Sequence, residues 1–170
     1  PEKWFEQSDQ FDDEIRKRLG AKIQAAREGK LAAWSETQRG CLALIILIDQ
    51  LSRNIHRGSP LTWSADALGL DLTRLALDKE FDGGMNFEER KFTYMPLMHS
   101  ERLEDQDLSV TLFKKLADEG AENGDLTVDY AIRHRDIVAE FGRFPHRNEI
   151  LGRTSTPEEI ELLKDPNVSF

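Results

Sequence analysis

The sequence predicts an all-α fold, and three observations support that prediction. Apolar residues recur at intervals of three and four along most of the 170-residue chain, which is the spacing of one helix face. Capping signals stand where these stretches begin. No segment shows the sustained alternation of apolar and polar residues that is typical of a half-buried strand. No linker or low-complexity stretch divides the chain either, so we expect residues 1–170 to form a single helical domain.

Three helices are expected in the first half of the chain. The second spans about residues 36–52, and its centre, residues 42–48, is apolar all round, so we expect it to be the buried central helix. A parallel strand is the alternative for that run, but helix-compatible polar residues extend it on both sides. The third helix is expected to follow Ser59, Pro60 and Ser64. The first helix is predicted from a capping serine and an apolar stripe: Ser8, Phe11, Ile15, Leu19 and Ile23.

Four further helices are expected in the second half. Asn86 and Glu89 resemble a capping box for a short helix that ends before Pro96, because proline disfavours the helical conformation of the residue before it. The last helix begins at Thr156, where Pro157 and Glu159 complete a second capping box. Apolar spacing predicts the two helices between them, which carry Leu108, Leu112, Leu116, Tyr130, Ile137, Val138 and Phe141.

Composition excludes several classes of function. The net charge of −9 argues against general nucleic-acid binding, which depends on neutralising phosphates. The longest apolar run, residues 41–48, is far shorter than the roughly 20 residues of a membrane helix, so we expect no membrane association. The single cysteine, Cys41, opens that run and is expected to be a reduced core thiol, which together with the lack of a visible signal peptide indicates the cytoplasm. Since the chain begins at Pro1 without methionine, we expect that its start has been trimmed.

Two segments place polar residues where helices end. Asp49 and Arg53 are four apart, hence on one helix face, at the end of the most apolar helix. They form either a structural ion pair or part of a site. His99, Ser100 and Glu101 follow the Pro96 break, and a histidine, a hydroxyl and a carboxylate this close support proton transfer, metal binding or a local helix cap.

A third segment, residues 141–153, is unusually basic for this chain. Its arginines either bind an anion, which suits the guanidinium fork, or tie the loop to acidic helices. His134 shares the apolar face of Ile137 and Val138 and is expected to be a core residue. The histidines lack the close spacing of zinc ligands, and no phosphate-binding loop or nucleophile motif is present, so we predict no metal and no cofactor.

Several strings together resemble one bacterial family, domain of unknown function 924. The resemblance rests on residues 43–50 with residues 53–54, on residues 94–101 with residues 105–106, and on residues 141–148 with residues 151–153. The family's opening is also similar to Trp4, Phe5, Phe11 and Asp12. The resemblance implies an array of about six to eight helices related to tetratricopeptide repeats, with degenerate repeats and right-handed superhelical packing. It implies no established activity.

Three functional hypotheses remain open. The first is a binding protein with an arginine-rich pocket for a small anionic molecule or an acidic peptide terminus. The second is a hydrolase or lyase that uses His99 with Glu101 or Asp49. The third is a structural or interaction module in which the polar motifs only stabilise helix packing. None of the three hypotheses predicts an oligomeric state. The candidate ligand-binding residues are Arg53, Asn54, Arg57, Gln106, His134, Arg143, His146, Arg147, Asn148 and Arg153.

Overall fold

The computed structural model describes residues 8–165 and residue 168, and within them the chain is helical with no strand. The all-α prediction is therefore confirmed. Trp4 and Phe5, in the expected family opening, lie outside the described residues. The chain divides into two compact units, Pro1–Gly84 and Met85–Phe170. The single domain and the superhelical packing stay predictions.

The first unit contains a central helix that was predicted from its apolar run. That helix is continuous from residue 38 to residue 55 but widens into a π-helical segment at its centre, so the strand alternative is wrong. It packs against α1 (Asp9–Arg27) and α4 (Asp66–Asp78), and its apolar residues form the core of the unit with those of its neighbours. The helices are α1 (Asp9–Arg27), α2 (Gln38–Ile45), the π-helical segment (Ile46–Leu51), α3 (Ser52–Ile55) and α4 (Asp66–Asp78).

Local capping in the first unit follows the sequence. The Ser8 hydroxyl accepts the Phe11 N–H at the start of α1, as the capping preference predicts. Ser59 caps a short 3₁₀ turn, Pro60–Thr62, before α4 begins. Cys41 is fully buried in the core, as expected, and burial raises the pKa of its thiol.

Within its described residues the second unit contains four α-helices, of which α6 (Leu103–Asp118) packs along α7 (Gly124–Phe141) and α5 (Phe87–Met98) packs against α6. Both predicted capping boxes are present, at Asn86 with Glu89 and at Thr156 with Glu159. Gly142 ends α7 in the left-handed conformation, with φ of 67°, and donates its N–H to the Val138 carbonyl. The helices are α5 (Phe87–Met98), α6 (Leu103–Asp118), α7 (Gly124–Phe141) and α8 (Pro157–Leu162).

The predicted end of α5 before Pro96 is wrong, because the helix continues to Met98. Proline removes one backbone hydrogen bond, but it lies here in the last turns, where Pro96, Leu97 and Met98 are all buried. The Gln106 amide also donates to the Met98 carbonyl at 2.7 Å, which satisfies an acceptor at the helix end. Packing and this side-chain cap therefore outweigh the local preference of proline.

No helix in the described part of the chain is long and apolar enough to cross a membrane.

Candidate functional site

In the first unit, the predicted pair of Asp49 and Arg53 is present and includes a third residue. Arg53 Nη2 donates to Asp49 Oδ1 at 3.2 Å and to Asp66 Oδ1 at 2.7 Å. Burial would lower the pKa of Arg53, but the two aspartates outweigh it and raise that pKa. Asp49 is buried within the π-helical segment, and Gln50 Nε2 donates to its other oxygen at 2.6 Å. The Asp49 carboxylate is thus held by protein donors.

Asn54 and Arg57 converge on Asp12 of α1, which entered the sequence analysis only through the resemblance to the family's opening. Asn54 Nδ2 donates to Asp12 Oδ1 at 2.7 Å, and Arg57 Nε donates to Asp12 Oδ2 at 3.0 Å. Burial opposes ionisation of Asp12, but these hydrogen bonds outweigh it, so the pKa of Asp12 lies below its usual value. These contacts fix the start of α1 to the end of α3.

In the second unit, Glu101 lies in the joint between α5 and α6 and pairs with Arg153. Both terminal nitrogens of Arg153 donate to the carboxylate, at 2.8 and 3.0 Å, and the Phe144 N–H donates to Oε1 at 2.8 Å. Burial raises the pKa of Glu101, and the hydrogen bonds from Arg153 and Phe144 outweigh it, so the pKa is lowered. Glu101 is therefore an ionised acceptor with both oxygens engaged.

A second ion pair connects the basic segment, residues 141–153, to α8. Arg143 donates to both oxygens of Glu159, from Nε at 2.6 Å and from Nη2 at 2.8 Å. Glu159 is fully buried and also accepts the Thr156 N–H and the Asn148 side-chain amide. The Arg143 hydrogen bonds, acting against burial, lower the pKa of Glu159 to about 2. Asn148 joins the two ion pairs, because its Oδ1 accepts from Arg153 Nε at 2.8 Å.

Arg147 and Gln106 bond the backbone at the joint that follows α5. Arg147 Nη2 donates to the His99 carbonyl at 2.9 Å, while Gln106 Nε2 donates to the Met98 and Ser100 carbonyls. His99 caps the end of α5 and is partly exposed. These contacts hold the joint by its backbone carbonyls.

His134, His146 and Arg147 surround the buried ring of Phe144. The ring centroids of His134 and His146 each lie 5.6 Å from that of Phe144, and the Arg147 guanidinium carbon lies 4.6 Å from it. His134 is buried, as expected, and its Nδ1 lies 2.8 Å from the Tyr130 carbonyl oxygen. Burial, with His99 as the next cause, lowers the pKa of His134 to about 3, so the ring is neutral at pH 7.

An open depression of about 350 Å³ lies beside the Arg143–Glu159 pair. Arg143 is the single cation among its lining residues, which also include three glutamates, so the depression does not favour an anion. Among the described residues, no group of three or more His, Cys, Asp or Glu side chains is arranged to hold a metal ion. The lining residues are Glu140, Phe141, Arg143, Thr156, Glu158 and Glu159.

Comparison with known proteins identifies the family. The model of a family described as bacterial proteins of unknown function, DUF924, matches residues 1–167. This chain belongs to the DUF924 family. A solved structure of a protein of unknown function from Agrobacterium tumefaciens is 36% identical to this DUF924 chain, with a TM-score of 0.89. The match covers 97% of this chain and 90% of that one. No curated protein matches.

Three residues central to this geometry were missed as partners of the predicted residues. Asp12 lies on the apolar stripe of α1, three residues before Ile15, and a carboxylate on a buried stripe is a signal for a buried partner. Glu159 was predicted as a capping residue only. Phe144, the fully buried centre of the aromatic and basic cluster, was missed because its contact with His134 of α7 depends on the fold, although His146 and Arg147 are its near neighbours in the sequence.

Proposed function

We propose that this DUF924 chain is a non-catalytic helical module, in which the polar motifs hold helix ends and loops together and the surface makes the functional contacts. The observation that carries the proposal is that the predicted arginines already have acceptors. Arg53, Arg143 and Arg153 each bond a carboxylate of their own unit. When a carboxylate already neutralises the charge of a guanidinium and accepts from its N–H groups, that guanidinium offers little to a ligand.

The energetic cost of releasing these arginines supports the same proposal. Moving Arg153 away from Glu101, or Arg143 away from Glu159, leaves a buried or half-buried carboxylate without its counter-charge. Breaking such pairs by removing one partner is strongly destabilising. An arginine-rich pocket for an anion or an acidic peptide terminus is therefore less favoured than a structural network.

The catalytic alternative has less support for a related reason. It needs a carboxylate that orients His99, and the oxygens of Glu101 accept from Arg153 and from the Phe144 N–H. Asp49 belongs to the other unit and is held by Arg53 and Gln50. Neither carboxylate is left as an open partner for a general base.

The exposed face of α7 offers a surface for partner contacts. Leu126 is 56% exposed and Tyr130 is 45% exposed, one helical turn apart, although both are large apolar side chains. The Arg133 guanidinium lies 5.7 Å from the centre of the Tyr130 ring. Tyrosine and arginine are among the residue types that most often contribute large binding energies at protein interfaces, so this face fits a protein partner.

Thermal unfolding of arginine variants tests the proposal. Arg147→Ala and Arg153→Ala should each lower the midpoint by several degrees, whereas the control Arg135→Ala, an exposed arginine paired with Asp107, should change it little. The wild type and both variants are then screened against anionic metabolites, nucleotides, acidic peptides and divalent metals. A compound that raises the wild-type midpoint by about 5 °C but fails with Arg153→Ala would contradict the proposal.

A further inference from the structure

A cluster of basic side chains in the first unit lies outside the motifs described so far. It consists of Arg16, Arg27 and His56, and we call it the basic cluster. Arg16 and Arg27 are eleven residues apart on α1, about three turns or 16 Å, and therefore lie on one stripe of that helix. Their guanidiniums converge on a single turn of α3. Arg16 Nη2 donates to the Ile55 carbonyl at 3.0 Å, and Arg27 Nη1 donates to the Ser52 hydroxyl at 2.8 Å.

Arg27 differs from Arg53, Arg143 and Arg153, which bond carboxylates, because its acceptors are neutral. They are the Ser52 hydroxyl, the Ser64 hydroxyl at 2.6 Å and the Leu61 carbonyl at 3.4 Å. No carboxylate within residues 8–165 bonds Arg27, and its Nε–H has no acceptor there. Among the described residues, this guanidinium keeps a charge that no bonded carboxylate compensates.

His56 adds an unmatched donor or acceptor to the same place. Its Nε2 is buried and has no hydrogen-bond partner among the described residues. Burial, followed by the charges of Arg27 and Arg16, lowers the pKa of His56, so the ring is neutral at pH 7 beside two cations. Buried polar atoms are nearly always satisfied, and an exception calls for a missing partner. An anion placed here would compensate the charge of Arg27 and stabilise a proton on His56.

Open space lies between the two arginines on the stripe of α1. Gly20 is four residues after Arg16 and seven before Arg27, so it shares their face of the helix. A Cβ atom added at Gly20 would meet only Arg16 Cγ, at 4.0 Å. The stripe is therefore open beside Gly20, and a larger side chain at this position would occupy that space.

We propose that the basic cluster binds a small oxyanion of the phosphate class, either free phosphate or a phosphomonoester. The Arg27 guanidinium supplies the charge and the N–H donors that suit such an oxyanion, and Arg16, which already pairs with Asp13, adds a further guanidinium at the same turn of α3. The Ser64 hydroxyl, already at Arg27, and the His56 ring supply further hydrogen-bonding groups. The nearby carboxylates are engaged, since Asp13 pairs with Arg16 and Asp12 pairs with Arg57. This site goes beyond the proposed function and does not depend on it.

The test is a titration of the intact chain with inorganic phosphate at constant ionic strength and pH 7, followed through the ring signals of the four histidines by ¹H–¹⁵N NMR. The expected result is a saturable shift of the His56 signals and a higher pKa for His56 in phosphate than in chloride. Arg27→Ala should weaken binding about tenfold or more, because it removes charge-assisted hydrogen bonds. A second titration with glycerol phosphate decides whether a free ion or a monoester binds more tightly.

Two further variants keep the proposal open to refutation. Arg27→Ala also removes the partner of the buried Ser52 hydroxyl and is therefore checked for folding by thermal unfolding. Gly20→Leu fills the open space with a good helix former and leaves every charge in place, so it should fold well and lose binding. Arg18→Ala removes an exposed charge of α1 that pairs with Glu14, and it should bind like the wild type.

Three outcomes would overturn the proposal: no saturable shift at His56 with either anion, an equal loss of binding in Arg18→Ala and Arg27→Ala, or unchanged binding in Gly20→Leu. Arg153→Ala in the second unit separates this proposal from the previous one. Phosphate binding that survives Arg153→Ala and is lost in Arg27→Ala supports the basic cluster whatever the role of the second-unit motifs.

Discussion

Arg153 holds Glu101 by two parallel hydrogen bonds, with Nη1 2.8 Å from Oε2 and Nη2 3.0 Å from Oε1. The Nε of the same arginine bonds Asn148, whose amide in turn bonds Glu159 at the start of α8. One continuous path of polar side chains therefore joins the α5–α6 joint to α8. The loop between α7 and α8 contains only a short 3₁₀ turn, Pro145–Arg147, so hydrogen bonds between these side chains supply much of the stabilisation of the loop.

A double-mutant cycle on Glu101→Gln and Arg153→Gln should give a coupling energy of about 1–2 kcal/mol in urea unfolding. The pair is half-buried and has the two-point geometry that makes arginine–carboxylate contacts strong, but solvent still screens it partly. The matched control is the exposed pair of Asp107 and Arg135, where coupling below about 0.5 kcal/mol is expected. Equal coupling energies in the two cycles would contradict the prediction that the Glu101–Arg153 pair is stronger than an exposed ion pair.

Acid should destabilise the protein through Glu159. Because its folded-state pKa is lowered to about 2, its ionised form contributes stability that is fully present above its unfolded pKa, near 4.3. That contribution is lost as the pH falls from about 5 towards 2. Glu159→Gln should therefore be less stable than the wild type at pH 7, and the difference should narrow as the pH approaches 3. Urea midpoints from pH 7 to pH 3 measure this, and a constant difference would contradict it.

His134 should stay neutral in the folded protein at pH 5. Its folded-state pKa is lowered to about 3, whereas an unfolded histidine titrates near 6.5, so the neutral ring contributes stability above pH 6.5 that is lost as the pH falls towards 3. Since a carbonyl only accepts, Nδ1–H donates to Tyr130 and fixes the tautomer. Ring ¹⁵N shifts at pH 5 should show a neutral ring with the proton on Nδ1. A charged His134 ring at that pH would refute the buried-neutral assignment.

Two glycines on helices of the first unit should respond oppositely to alanine. At Gly40, a Cβ would lie 2.1 Å from the Trp34 carbonyl oxygen, so Gly40→Ala should cost about 2 kcal/mol in the free energy of unfolding. At Gly20, a Cβ meets only Arg16 Cγ at 4.0 Å, and Gly20→Ala should stabilise by about 0.5–1 kcal/mol, as alanine does in helix interiors. Chemical denaturation of both variants measures the two signs, and a stabilising Gly40→Ala would show that α2 can shift away from Trp34.

Local signals in the sequence determined the elements of this protein. The Ser8 cap and the boxes at Asn86 and Thr156 lie where helices begin, because capping depends on residues within one turn of each other. The pairing of Asp49 with Arg53 was open to prediction for the same reason, since a spacing of four places both on one face. The strings around Asp49, Glu101 and Arg147 also sufficed to indicate the DUF924 family.

Tertiary packing selects the side chains that satisfy the predicted polar residues. Arg153 pairs with Glu101, which lies 52 positions away in the sequence, and Arg57 pairs with Asp12, which lies 45 positions away. Neither pairing follows from helical spacing, because it depends on how helices pack and not on where they begin. Local preference was also insufficient at Pro96. Burial and the hydrogen bond from the Gln106 amide stabilise α5 as far as Met98, although proline by itself favours an earlier end of the helix. The sequence thus determined the helices and the polar residues at their ends, whereas packing, which brings distant charges into contact, decided their partners.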